Sequence, residues 1–449
     1  MKKIFNIILG IVIILAISIF VIAKSVNTVP DSTLSIEEQA MAILSDGGCL
    51  ACHSQTPQYP WYHSLPVISE MVEDNALEAA RYYDIDSTYS QLKSPMGMSL
   101  PDLLRLKNVA EERSMPPHSY AMMHWESVIT TEKAEILKQW LQEYRREHFP
   151  NGNAPEFAEE PIFVIPDVSP LPVDSAKMKL GEALYNDVRL SADNTISCAS
   201  CHDLIEKYGT DNEQVSDGVN AAEGTINAPT VLNSVFNFVQ FWDGRALTLA
   251  TQAAAPPVNP VEMANESFDQ IIAKLIEDKE FMKEFGKVYN EVTEATITDA
   301  IEHYERTLIT PNGPFDRYLK GEQDAISADA IEGYAQFKGH DCADCHSGVI
   351  VGGRSYEYMG LSNDYFADRG PIIKPEIDDR GHFSVTNNPY DLHRFKVPGL
   401  RNVAYTWPYF HDGTRNTLEE AVKDMAWYQH GVVLTTDEID KIVAFLKTL

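Results

Sequence analysis

Six cysteines occur in 449 residues, and none stands alone. They form CLACH (Cys49, Cys52, His53), CASCH (Cys198, Cys201, His202) and CADCH (Cys342, Cys345, His346). Each is C-x-x-C-H, the spacing by which two cysteines bond the edge of a c-type haem while the adjacent histidine reaches its iron. A zinc site or a redox dithiol uses the same residue types. Three matches that consume every cysteine, in a chain that also carries an export address, favour haem over both. No cysteine is left for disulfides, so the haems themselves must help hold small cores together.

The address lies at the start. Lys2 and Lys3 precede a nearly unbroken apolar run from Ile4 to Ala23, followed by Lys24. About 20 apolar residues can cross a bilayer as a helix. The basic end stays in the cytoplasm, so the remaining chain is exported. This predicts a retained single-pass anchor over 1–30, in the cytoplasmic membrane, with the catalytic part on its outer, periplasmic face. Val21-Ile22-Ala23 also reads as a cleavage site, the alternative in which the segment is a signal peptide.

A chain this long holds two or three domains. Helical periodicity precedes each haem motif, at 36–46, 176–188 and 328–339, and returns later at 131–147, 298–308 and 437–449. The threefold pattern predicts a mostly α protein of three cytochrome-c-like haem domains in tandem behind the N-terminal helix. Their bounds are 31–149, 175–315 and 316–449, with a proline-rich linker over 150–174 and few strands. The formal net charge of −30 argues against nucleic-acid binding, which needs basic residues, and suits a neutral or basic partner.

Each haem histidine leaves the opposite face of its iron to be filled. In SMPPHSY, Met115 is the candidate for the first haem, with His118 and His124 nearby. A thioether raises the potential of the iron it binds; the plainer reading of such a methionine is core packing. For the third haem the candidate is Met425, in LEEAVKDM, with Met359 and His411 as competitors.

Three later stretches carry a resemblance: FWDGRALTLATQAAAPPVNPVEM, ERTLITPNGPFDRYLKG and KVPGLRNVAYTWPYFHDGTRNTLEEAVKDM. Over residues 175–449 the chain resembles the bacterial dihaem cytochrome c peroxidases. The front part, with CLACHS, PWY and MPPHSY, resembles the haem domain of trihaem, membrane-anchored quinol peroxidases. The resemblance implies that the His202 haem is the peroxidatic one. It gives Glu262 the catalytic role, Gln252 a place in the distal site, and Trp242 a position between two haems. It implies that His346 and Met425 are the axial pair of the electron-transfer haem. It also implies an interdomain calcium held by Asn227 and the backbone carbonyls of Thr406 and Pro408; oxygen-only ligation suits that hard cation.

Chemistry supports these roles independently. Cleaving peroxide needs an open coordination position and a group that moves a proton between the two oxygens, which a carboxylate can do as base and then acid. Glu262 lies in the apolar, proline-rich stretch APPVNPVEM, where desolvation would raise its pKa. By default an acid is a solvated surface group and a tryptophan a core residue; the motif lifts Glu262 and Trp242 above those readings. Many family members block the resting peroxidatic iron with a histidine from the loop before FWDG. Here the loop VSDGVNAAEGTINAPT has neither His nor Met. The sixth position of the His202 haem is therefore expected to be open or filled by water.

The expected activity is reduction of hydrogen peroxide to water by a trihaem enzyme. The alternative is a multihaem electron carrier, for which Glu262 and Gln252 would have no use. A related enzyme that oxidises protein tryptophans uses Tyr where Met425 stands. The expected donor is membrane quinol, because an anchor holds the first haem near it, or a soluble cytochrome c.

Overall fold

The computed structural model describes residues 2–449 except 67, 95, 96, 373 and 374. The chain divides into two compact units, Met1–Pro150 and Asn151–Leu449. Both are mostly helical. Among the described residues the only sheet is a pair of three-residue antiparallel strands, β1 (Tyr356–Tyr358) and β2 (Arg394–Lys396), with Tyr356 opposite Lys396.

The expectation of a membrane-spanning anchor is corrected. The N-terminal segment is helical over Lys2–Val26. Yet among the described residues no helix is long and apolar enough to cross a membrane. Helix length is not sufficient, because a span also needs about 20 continuous apolar residues. The end of this helix is instead tied to its own unit: the Asn27 side-chain amide donates to the Val128 carbonyl (3.1 Å). The side chains of Lys2 and Lys3, on which the expected orientation rested, lie outside the described residues. Placement on the outer face of the cytoplasmic membrane falls with the anchor.

In the first unit the helix Ile36–Asp46 starts at a capping box, with Ser35 and Glu38 satisfying each other's backbone N–H groups. It buries Ala40, Ile43 and Leu44. The facing helix Thr131–His148 buries Leu137, Trp140 and Leu141, the stripe its periodicity predicts.

The second unit repeats one device twice. Helix Ser175–Tyr185 crosses helix Glu294–Glu305 at Gly181, where an added Cβ would stand 1.9 Å from the Ala300 carbonyl oxygen. Helix Ala328–Gly339 crosses helix Thr436–Leu446 at Gly333, where a Cβ would stand 1.9 Å from the Lys441 carbonyl oxygen. In both pairs the backbones approach too closely for any side chain. The helix expected at 298–308 begins earlier, because Thr293 caps it by accepting from the Thr296 N–H.

The proline-rich segment after Pro150 is packed. Ile162 and Val164 join the core built by Phe315, Leu319, Phe337 and Phe445. The Ile165 N–H donates to Asp316 (3.2 Å), and Asp316 pairs with Arg401 at 2.8 Å, both side chains almost fully buried. Arg401 also donates to the carbonyls of Val349 (3.0 Å) and Phe163 (2.8 Å). Three distant stretches, around 163, 316 and 401, are thus bonded through one guanidinium.

Candidate active site and haem-binding motifs

Each haem motif forms a short helical turn: Cys49–Ala51 and Cys342–Cys345 directly after the helices Ile36–Asp46 and Ala328–Gly339, and Cys198–Cys201 after the turn Val188–Leu190 that follows the helix Ser175–Tyr185. Each adjacent histidine donates its Nδ1–H to backbone carbonyls. His53 reaches Ala79 (3.0 Å) and Tyr83 (3.1 Å), His202 reaches Gly209 (3.0 Å), and His346 reaches Val351 (3.2 Å). A carbonyl only accepts, so Nδ1 carries the proton and the Nε2 lone pair is left for a metal. Burial lowers all three imidazole pKa values, that of His346 to about 4, and keeps the rings neutral.

These residues fit haem and not the rivals. No cysteine is in a disulfide. Burial pushes Cys49 to about 11 and Cys198 and Cys342 to about 12, so none is the accessible thiolate of a redox dithiol. Among the described residues no group of three or more His, Cys, Asp or Glu is arranged to hold a metal, so zinc has no ligand set.

Glu262 is positioned by its own motif. Asn259 donates its side-chain amide to Glu262 Oε1 at 2.6 Å. Burial raises the Glu262 pKa, while the Asn259 bond and the Arg245 charge oppose the rise. Asn265 pins the segment by donating to the carbonyls of Leu190 (2.7 Å) and Pro257 (2.8 Å). The loop without His or Met lies on the same backbone. The Val219 N–H donates to the Glu262 carbonyl (2.8 Å), and a Cβ on Gly218 would stand 2.2 Å from the Val261 carbonyl oxygen. Met263 is buried in the apolar core with Leu184, Leu275 and Phe285, a core against which Cys198 also packs. Gln252 is half-buried on the helix Leu249–Ala253, which reaches the Pro256 turn within three residues. Glu302 seats that helix by accepting the Ala250 N–H (3.2 Å).

Trp242 is buried with Met359, Tyr365, Phe395 and Tyr428, and Met425 packs against this cluster. Its indole N–H donates to the Asn227 carbonyl (2.9 Å). The Asn227 side-chain nitrogen donates to the carbonyls of Glu213 (3.0 Å) and Gln214 (3.3 Å), and its backbone N–H donates to the His411 carbonyl (2.8 Å). Asn212 draws the turn of Thr406 and Pro408 alongside by donating to the carbonyls of Tyr405 (3.1 Å) and Trp407 (2.7 Å).

Two competing histidines are already engaged. His411 holds Asp379 through Nε2 (2.9 Å). His124 accepts from Tyr62 at Nε2 (3.0 Å) and donates from Nδ1 to Glu126 (3.3 Å). Met115 is half-buried and His118 exposed. Sequence reasoning missed Asn259, although it stands three residues before Glu262 in NPVEM. It also missed Glu305, a buried acid with an unpartnered Oε2, because nothing local marks a helix-borne acid as buried.

An oriented, neutral imidazole beside each half-buried cysteine pair defines a c-type haem protein. Comparison with known proteins narrows the class. Residues 175–324 match the di-haem cytochrome c peroxidase family, and residues 9–143 match a haem-binding domain. Cytochrome c peroxidase Ccp of Escherichia coli is 43% identical over 420 residues, covering 93% of this chain and 89% of that protein. Cytochrome c551 peroxidase of Nitrosomonas europaea is 47% identical over 295 residues, covering 65% and 84%. The solved structure of a MauG-like protein associated with microbial copper homeostasis aligns with a TM-score of 0.54 at 29% identity, covering 67% of this chain and 95% of that one. The chain belongs to the di-haem cytochrome c peroxidase family, and it is a haem peroxidase.

Proposed function

We propose that this chain reduces hydrogen peroxide to water at the haem held by His202, with Glu262 moving the proton. The observation that carries this reading is Glu262 itself: a half-buried carboxyl with a raised pKa, held at 2.6 Å by Asn259, beside a loop that has neither His nor Met to block an iron. The bound haem supplies the redox equivalents and an open coordination position for peroxide. Glu262 takes the proton from one peroxide oxygen and returns it to the other, the leaving oxygen. Gln252 helps order peroxide beside it. Trp242 lies on the electron path between the haems of His202 and His346.

Three motifs with the same histidine arrangement support three haems, each in its own domain: 31–149, 175–315 and 316–449. Met115 with His53, and Met425 with His346, would hold the irons of the first and third haems. Asn227 Oδ1 with the carbonyls of Thr406 and Pro408 forms a calcium site. The donor is a c-type cytochrome, as the names of the E. coli and Nitrosomonas relatives indicate for those proteins. Quinol is the second reading, favoured by the extra haem motif in the first unit.

Two measurements test the proposal. Denaturing mass spectrometry should find three covalent haems per chain; two or fewer defeats the trihaem reading. Peroxide turnover with reduced cytochrome should fall about 10²–10⁴-fold in Glu262→Gln, with haem content unchanged. A variant within threefold of wild type places the proton shuttle elsewhere.

A further inference from the structure

Lys396 ends β2 inside the second unit and is only 6% exposed. Its backbone N–H donates to the Trp242 carbonyl (2.7 Å), so it sits against the tryptophan of the electron path. Four residues on, the Leu400 N–H donates to the Val351 carbonyl (3.2 Å), which also accepts from the His346 ring (3.2 Å). Among the described residues no side-chain hydrogen bond or ion pair reaches the Lys396 ammonium, and burial alone acts on it, lowering its pKa to about 8. Another buried cation of this unit, Arg401, behaves differently, since it has Asp316 at 2.8 Å. An interior ammonium without an anion is costly, and such groups persist where a counter-charge meets them. Among the described residues no carboxylate pairs with Lys396. A covalently attached haem brings two carboxylates of its own.

We propose that Lys396 is the counter-ion for a carboxylate of the haem attached through Cys342 and Cys345, a positioning residue that fixes this haem against Trp242 and raises its potential. The inference rests on the reading that this motif carries haem, which peptide mass measurement checks separately in the wild-type chain. A cation beside the haem edge favours the electron-rich ferrous state. Its removal should shift the reduction equilibrium of that haem about tenfold toward ferric, which is about 59 mV lower.

The test is a spectroelectrochemical titration of Lys396→Met and Lys396→Arg in the full chain, with resonance Raman spectra of the haem-carboxylate bending bands. Lys396→Met should lower the potential of the His346 haem and move its bending band, leaving the His53 and His202 haems unchanged. Lys396→Arg should keep the potential near wild type while still moving the band. An unchanged potential and band in Lys396→Met overturns the proposal, as does a shift confined to another haem. If Lys396→Met fails to fold, Lys396→Arg and Lys396→Gln decide by the same bands: an unmoved band in both overturns it.

Discussion

The indole N–H of Trp242 donates to the backbone carbonyl of Asn227 at 2.9 Å, so the proposed electron path and the proposed calcium ligand share one hydrogen bond. Asn227 is in turn bonded to His411, and His411 to Asp379. A disturbance at Asn227 therefore reaches Trp242 through backbone, not through solvent.

Asn259 tunes the acid it touches. Its bond lowers the Glu262 pKa against the rise caused by burial. Asn259→Ala removes the opposing contribution, so the Glu262 pKa should rise. The base form is then reached at higher pH, and the acid limb of the pH profile of kcat/KM should move up. Turnover at neutral pH should drop about tenfold or less, milder than for Glu262→Gln. A profile that stays in place would show that Glu262 does not set this limb.

The resting state follows from the loop on Glu262. Residues 203–230 contain no His or Met, and Met263 is committed to the apolar core. The fully oxidised protein should show one high-spin ferric haem, and cyanide should bind it quickly without prior reduction. Low-spin signals from every haem, with cyanide binding only after one-electron reduction, defeat this expectation.

Met425 packs on the Trp242 cluster, whereas His411 is held by Asp379. Met425→His should lower the potential of the His346 haem, because thioether ligation favours ferrous iron. A redox titration identical to wild type would shift the ligand assignment to Met359, which lies in the same cluster.

The Arg401–Asp316 pair should matter for stability. Asp316→Asn strands a buried guanidinium, and removing one partner of such a pair costs about 3–5 kcal/mol. Urea unfolding should show a lower midpoint with an unchanged slope. A loss below about 1 kcal/mol means that the carbonyls of Phe163 and Val349 suffice to hold the cation.

Glu305 predicts a pH dependence. Burial first, and the Glu302 carboxylate second, raise its pKa from 4.5 to about 8. An acid raised on folding binds more protons in the native state, so stability is full below about pH 4.5 and falls as pH climbs toward 8. The loss is on the order of a few kcal/mol. Glu305→Gln should flatten that part of the stability profile, and thermal melts across this range read it directly.

Much of this protein is local and was legible in the chain. C-x-x-C-H is a spacing within one turn, so it needs no fold to be read. The helices at 36–46 and 328–339 begin at serine caps and follow their apolar period, which are short-range properties. Glu262 stood out through NPVEM, and Asn259 in that motif proves to be its partner. The N-terminal run shows the limit of the same method: an apolar count predicted a span, and no described helix meets the requirement for one. Tertiary structure alone decided the rest. Glu305 and Lys396 look like ordinary surface charges in sequence and are buried because distant elements close over them. His124 and His411 were open candidates for iron until folding supplied Tyr62 and Asp379, residues 62 and 32 positions away. Burial and partnership are long-range quantities. They arise only when the chain closes on itself, and for that reason they set which of the many acids, lysines and histidines are free to do chemistry.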